Sequence, residues 1–169
     1  MLWPRGNERT GRLYHVWQYK YTTMLDTTIY NAPSYVHKVI VESALHFAYN
    51  TLIKNKKRDM SVFVVMRPMT NDEAGYSTSN DDGRWPSIFN IELNSNLIIS
   101  DLVKTVMHEM VHVWQVFTGR MHIDHKHVRF ERRIYSTEYV DMHILDAPWE
   151  QEAYEMEQEL YDSFIRGRV

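Results

Sequence analysis

The sequence HEMVH, residues 108–112, lies inside an apolar stretch that runs from Ile98 to Thr118. On an α-helix, residues four apart lie one above the other, so His108 and His112 would face the same way. Two imidazoles placed like this can bind one zinc ion, and Glu109 can then reach a water at the metal as a general base. The HExxH motif is short enough to occur by chance, so its surroundings decide whether it indicates a metal site.

The surroundings of the motif predict one buried helix. Ser100 is a favourable N-cap, Asp101 suits the positive end of the helix dipole, and Gly119 is a favourable C-terminal stop. Apolar residues lie on nearly every side of the helix: Leu102, Val103, Val106, Met107, Met110, Val111, Val113, Trp114, Val116 and Phe117. Burying two imidazoles and a carboxylate is costly without partners, and a metal ion supplies them. The alternative is that ordinary hydrogen bonds at the edge of the core satisfy these groups.

The rest of the chain predicts both helices and strands. A helix opens at Ser34 and runs to about Asn55, and the β-branched run at 61–67 predicts a strand. A last helix begins at Asp146, its expected N-cap, with Pro148 in the first turn. The remaining segments are expected to be a flexible arm (1–12), an extended segment (17–22), a long polar loop (69–87) and an irregular insertion (119–145).

Length and composition narrow the class of protein. The 169 residues predict a single α+β domain over residues 13–169, with a small mixed sheet packed on the HExxH helix and the C-terminal helix. The absence of cysteine excludes disulfides, thiolate zinc ligands and cysteine nucleophiles. The formal net charge of -3 gives no global sign of nucleic-acid binding. Without a signal-peptide pattern or a long apolar run, we expect a cytoplasmic protein and no membrane span.

Residues 87–94 alternate apolar and polar side chains, which predicts a half-exposed strand near a sheet edge. An edge strand can hold an extended peptide by strand addition, because its free backbone groups bond to the peptide. The expected substrate-binding residues are therefore Ile91, Glu92 and Leu93. The alternative is an ordinary edge strand.

Catalytic zinc needs a third protein ligand and one open position. The candidates on the last helix are Glu150 and Glu152. At about 100° per residue, Glu150 and Glu157 fall inside a widened apolar arc and Glu152 falls on its opposite flank. A carboxylate inside that arc faces the core and needs a partner, so we favour Glu150 as the ligand. The alternative for Glu150 is an acid that only favours the N-terminal helix dipole.

A second set of candidate ligands lies in the insertion. His122, His125 and His127 follow the motif closely enough for one of them to return to the metal. Together with Arg129, Arg132 and Arg133, these histidines can instead form a basic patch for phosphate or DNA. The third alternative is a solvated loop.

Two stretches of the sequence resemble known peptidases. HEMVHVWQVFTGR (108–120) and PWEQEAYEME (148–157) look like the small SprT-like or minimal-gluzincin metallopeptidases that bacteriophages often encode. The ExxA spacing from Glu150 to Ala153 is similar to the helix that supplies the glutamate ligand in thermolysin-like gluzincins. The resemblance covers residues 95–160 and implies a zincin-like fold. It also implies Zn²⁺ bound by His108, His112 and Glu150.

The chain departs from these families at two positions. Gluzincins typically carry Asp or Asn four residues after the ligand Glu, where this chain has Tyr154. SprT and Spartan relatives use a third His in an HGxxF context, and the nearest match is HVRF at 127–130, which lacks the Gly. Glu150 and His127 both remain open as the third ligand.

The function that we expect is a zinc metalloendopeptidase in which a metal-activated water attacks a peptide bond and Glu109 is the general base. The partner is then a protein or peptide substrate, in the host cytoplasm if the chain is phage-encoded. Candidate donors to the oxyanion are Tyr135, Tyr139, His143 and Tyr154. The alternatives are a non-catalytic zinc scaffold and a DNA-associated Spartan-like peptidase that uses the basic residues of 120–133.

Overall fold

A mixed four-stranded sheet is the framework of the chain. The computed structural model describes residues 24–54, 58–70, 73–81 and 85–167. Its strands are β1 (Leu25–Tyr30), β2 (Met60–Arg67), β3 (Gly75–Ser79) and β4 (Ile88–Asn94). The spatial order is β1-β2-β4-β3, in which β1, β2 and β4 are parallel and β3 is antiparallel to β4. The arm predicted over 1–12 and the segment at 17–22 lie outside the described residues.

Three long helices accompany the sheet: α1 (Tyr35–Leu52), α2 (Ile99–Phe117) and α4 (Pro148–Ile165). Between α2 and α4 lie the short strands β5 (Met121–Ile123), β6 (His127–Phe130) and β7 (Arg133–Ser136), then α3 (Thr137–His143) and a 3₁₀ turn (Ile144–Asp146). The α+β prediction is confirmed. None of the helices in the described part of the chain has an apolar stretch long enough to cross a membrane.

Helix α2 lies at the centre of the core. It packs against α1, α4 and the strands β3 and β4, which explains why its sequence is apolar on almost every side. One face of the sheet supplies alternating buried side chains to the same core, such as Val62 and Val64 of β2 and Phe89 and Ile91 of β4. The helix carrying HExxH is thus held on several sides, and its side chains have little freedom to move.

The prediction that residues 87–94 form an edge strand is wrong. Strand β4 is hydrogen-bonded to β2 on one side and to β3 on the other, so its backbone has no free groups for strand addition. Ile91 and Leu93 are fully buried, and Glu92 pairs with Arg67. The three proposed substrate-binding residues are therefore not at an accessible edge. The edge next to α2 is β3, which the sequence analysis assigned to a polar loop.

The insertion at 119–145 is also more regular than predicted. Strands β5, β6 and β7 form an antiparallel sheet, and Val128 and Phe130 of β6 turn inward toward Trp149. Two predicted caps are wrong as well, because α2 begins after Ile98 and α4 after Ala147, neither with a side-chain cap. Ser34 does cap α1, since its hydroxyl accepts from the backbone N–H of His37.

Gly119, two residues after the end of α2, is expected to resist substitution. Its φ is +74°, and an added Cβ would lie 2.0 Å from Cζ3 of Trp85. Gly167 has a similar φ of +63°, but an added Cβ there would have no atom within 4 Å. A substitution at Gly167 therefore measures the cost of the positive φ without a steric clash. Gly167→Ala should lower the free energy of unfolding by about 1 kcal/mol or less and Gly119→Ala by clearly more, as measured in denaturant. Equal losses would show that the contact with Trp85 is unimportant.

Candidate metal centre

Three side chains from two helices converge on one point. The Nε2 atoms of His108 and His112 are 3.1 Å apart, and Oε2 of Glu150 lies 3.4 Å from the first and 3.3 Å from the second. The histidines project from one face of α2, and Glu150 reaches them from the first turn of α4. Among the described residues these three form the group that can hold a metal ion.

The outer nitrogen of each histidine has its own partner. Nδ1 of His108 lies 3.2 Å from Oε2 of Glu157, and Nδ1 of His112 lies 3.0 Å from Oε1 of Gln115. A carboxylate and an amide oxygen can only accept, so each Nδ1 carries the hydrogen and donates it. In its neutral form each ring would therefore turn a lone pair on Nε2 toward the centre, which is the form that binds metals.

The centre is thus a meeting of acceptors. The Nε2 atoms of His108 and His112 and Oε2 of Glu150 lie 3.1–3.4 Å from one another. Only a proton or a metal ion between these atoms can make such close contacts favourable. Tetrahedral zinc with ligands at about 2.0–2.1 Å places its ligand atoms about 3.3–3.4 Å apart. The donor types and spacing fit such an ion, with His108, His112 and Glu150 as its protein ligands.

Without a metal, His108 and Glu150 form an ion pair. Burial lowers the pKa of His108, but its hydrogen bonds with Glu150 and Glu157 outweigh burial and raise that pKa to about 9. Burial raises the pKa of Glu150, but hydrogen bonds with His108 and His112 outweigh it and lower that pKa to about 2. At neutral pH a proton holds the metal-free cluster together, and a metal ion must replace it.

Glu109 lies beside the cluster and is buried, with 4% of its surface exposed. Burial raises the pKa of its carboxyl group, against the lowering effect of the neighbouring histidines and of a hydrogen bond with Ser77 of β3. Glu109 and His108 line a cavity of about 370 Å³, whose other walls include Gly75 of β3 and Tyr154 of α4. A buried carboxylate next to a metal-binding group and an open cavity can act as a base on a small molecule held there.

Of the four candidate donors to an oxyanion, Tyr154 lies at this cavity. Its ring centroid is 4.7 Å from that of His108. Tyr135 instead packs edge-on against Trp149, at 5.3 Å between ring centroids. The side chains of Tyr139 and His143 lie outside the described part of the structure.

The other candidate ligands have different surroundings. Glu152 accepts hydrogen bonds from Arg120 at 2.9 and 3.0 Å and from Gln115 at 2.9 Å. His127 is exposed on β6, with Nδ1 3.6 Å from Oδ1 of Asp124. His122 and His125 are exposed too, and none of these four side chains joins the metal-binding group.

The partners of the two histidines were missed in the sequence, although their spacing contained a signal. Glu157 lies two helical turns after Glu150 and so shares its face, which places both carboxylates on the same pair of imidazoles. Glu157 reaches Nδ1 of His108 from one turn beyond Tyr154. Gln115 follows His112 by three residues, one turn along α2.

Comparison of the chain with protein-family models, with curated proteins and with solved structures finds no significant match. The resemblance to SprT-like and gluzincin peptidases consequently rests on the two motifs alone.

The choice between the two glutamates of α4 can be tested by metal binding. Glu150→Gln removes the ligand charge and should weaken zinc binding by more than about 100-fold, because a metal ligand matters more than its supporting partner. Glu152→Gln makes the same change at the alternative ligand and should lower zinc affinity by no more than about tenfold. Glu155→Gln, at an exposed position of the same helix, is the matched control and should not change it. The measurement is zinc titration against a competing chelator. A larger loss in the Glu152 variant would contradict the assignment of Glu150.

Zinc affinity should also depend on pH in an unusual range. Metal binds the deprotonated imidazole, so metal uptake must release the proton of His108, whose pKa its hydrogen bonds with Glu150 and Glu157 raise to about 9. Affinity is lowest at acid pH, and should rise about tenfold per pH unit from pH 7 to about pH 9. For an ordinary imidazole, with a pKa of about 6.5, the rise would end near pH 7.5. Chelator competition at pH 7, 8 and 9 distinguishes the two, and a flat profile would contradict the ion-pair description.

Proposed function

We propose that this protein is a zinc-dependent metallopeptidase with a zincin-like fold. His108, His112 and Glu150 are its metal ligands, and Glu109 is its general base. The observation that carries the proposal is that three acceptor atoms meet at metal-binding distances beside a buried carboxylate that opens on a cavity. The peptidase motifs in the sequence add to it, since the same residues occupy the ligand and base positions in the families that the chain resembles.

The residues supply the parts of a hydrolytic reaction. A bound zinc ion would lower the pKa of a coordinated water and polarise the scissile carbonyl. Glu109 accepts the proton of the attacking water and delivers it to the leaving amine, and its buried position at the cavity wall suits that role. Tyr154, at the cavity wall, is the side chain best placed to donate to the developing oxyanion.

Strand β3 is the proposed binding site for the peptide backbone. It pairs only with β4 among the described strands, so its other edge is available for strand addition beside the cavity. Gly75 permits close packing on α2, because an added Cβ would lie 2.8 Å from Cγ2 of Thr105. The hydrogen bond between Ser77 and Glu109 joins this strand to the proposed base. Strand β3, and not β4, is therefore the proposed peptide-binding strand.

The two alternatives have less support. A structural zinc site has four protein ligands, whereas the group found in the described residues has three and leaves a position for water. The DNA-associated alternative needs a free basic surface on the small sheet. Arg120 is engaged by Glu131 and Glu152, which removes one of the basic side chains that would form it.

Replacing the proposed base separates catalysis from metal binding. Glu109→Gln should retain one zinc ion per chain and lower hydrolysis by about 10²–10⁴-fold, because it removes the proton acceptor and no ligand. The assay is mass-spectrometric detection of cleavage in a peptide library made from a digested proteome. Glu159→Gln, at an exposed position of α4, is the matched control and should behave like the wild type.

Two results would count against the proposal. Cleavage by the zinc-loaded Glu109→Gln variant at the wild-type rate would show that Glu109 is not the base. A zinc-loaded wild type that cleaves nothing in the library would favour the non-catalytic scaffold.

A further inference from the structure

Gln115 is a fully buried polar side chain, with 0% of its surface exposed, whose hydrogen bonds end at the metal centre. Its Oε1 lies 3.0 Å from Nδ1 of His112. Its Nε2 donates to the backbone carbonyl of Trp149 at 3.0 Å and to Oε2 of Glu152 at 2.9 Å. A buried amide satisfied at both ends in this way links α2 to the first turn of α4, where Glu150 lies.

These partners determine which way round the amide lies. A backbone carbonyl and a carboxylate have no hydrogen to give, so the group facing them must be the NH₂ of Gln115. The amide oxygen must then face His112, and it can bond there only to an N–H. Nδ1 of His112 consequently carries the proton, and Nε2 is left with a lone pair directed at the metal centre.

We infer that Gln115 is the positioning residue of His112, holding the tautomer and the ring orientation that the proposed zinc site requires. This rests on the metal site of the proposed function and adds to it the group that prepares one of the ligands. His108 is held by the carboxylate of Glu157, so the two histidines are fixed by different chemistry.

A neutral acceptor is suited to this position. Glu109, Glu150 and Glu157 already supply three carboxylates to the site, and Glu152 lies 2.9 Å from the amide of Gln115. A glutamate at 115 would bring two carboxylate oxygens together in the core, where like charges repel strongly. The amide accepts from His112 without adding charge and still donates to Glu152.

The far end of this hydrogen-bond chain is also held. Arg120 donates to both oxygens of Glu152, at 2.9 and 3.0 Å, and to Glu131 at 2.6 Å. Its guanidinium carbon lies 4.6 Å from the ring centroid of Trp114 on α2. Arg120 therefore fixes the position of the Glu152 carboxylate. That carboxylate in turn fixes the amide of Gln115, which donates to it.

The first test measures metal affinity rather than activity. Gln115→Leu keeps the bulk of the side chain and removes the acceptor, and it should lower zinc affinity 10–100-fold in chelator competition. It should also change the visible absorption of the cobalt(II)-loaded protein, which reports ligand geometry. Gln158→Leu, at an exposed position of α4, is the matched control and should change neither.

A second pair of variants tests the neutral charge of the acceptor. Gln115→Glu keeps an acceptor for His112 but places a carboxylate oxygen against both the carbonyl of Trp149 and the carboxylate of Glu152. Adding Glu152→Gln relieves only the second of these contacts, so the double variant should recover part of the zinc affinity that Gln115→Glu loses. A purely structural role for the amide would not produce this recovery at the metal.

A third measurement uses the wild-type protein, so it does not depend on whether a variant folds. In zinc-loaded wild-type protein, the ¹⁵N chemical shifts of His112 should show a protonated Nδ1 and a metal-bound Nε2. A metal-bound or unprotonated Nδ1, or wild-type zinc affinity in folded Gln115→Leu, would overturn this inference and leave the proposed function standing. A wild type that binds no zinc would overturn both.

Discussion

Three hydrogen-bond acceptors meet at one point in this protein, and a proton or a metal ion must lie between them. The Nε2 atoms of His108 and His112 face a carboxylate oxygen of Glu150, and the partners on Nδ1 keep both lone pairs turned inward. Such a meeting is unfavourable without a cation. The geometry of the core maintains it, because α2 is packed between the sheet and two other helices.

The fold places around this centre the groups that the proposed hydrolysis requires. The antiparallel strand β3 runs at the edge of the sheet beside α2 and leaves a cavity between them. Helix α4 brings Glu150 across to the histidines and Glu157 to the outer side of His108. Glu109 is the buried acid that faces the same cavity, next to the ligands and not among them. The group that can hold a metal ion thus draws two residues from α2 and one from α4, with the carboxylate of Glu109 beside it.

Much of this arrangement could be predicted from the sequence because it depends on helical spacing. The i, i+4 relation of His108 and His112 and the apolar arc of α4 are local patterns, and they indicated the residues that the structure brings together. The ends of α2 were also close to the prediction, since Gly119 has the positive φ expected after a helix.

The remaining features depend on contacts between distant segments. Strand β3 has the polar sequence GYSTS, which looks like a loop until pairing with β4 makes it an edge strand. Strand β4 has an alternating pattern that suits an edge strand, yet neighbouring strands are hydrogen-bonded to both of its edges. The small sheet at 121–136 is built from strands of three or four residues, too short to show a period. Gln115 follows His112 by one helical turn, but the orientation of its amide depends on its partners on α4.

The central claim is that one metal ion lies between the two imidazoles and Glu150. Anomalous diffraction at the zinc edge, on crystals of the zinc-loaded protein, tests it most directly. The account predicts one strong peak per chain at bonding distance from Nε2 of His108, Nε2 of His112 and the carboxylate of Glu150, with a fourth position free of protein. A zinc peak at other side chains, or none at these three in fully loaded protein, would contradict it.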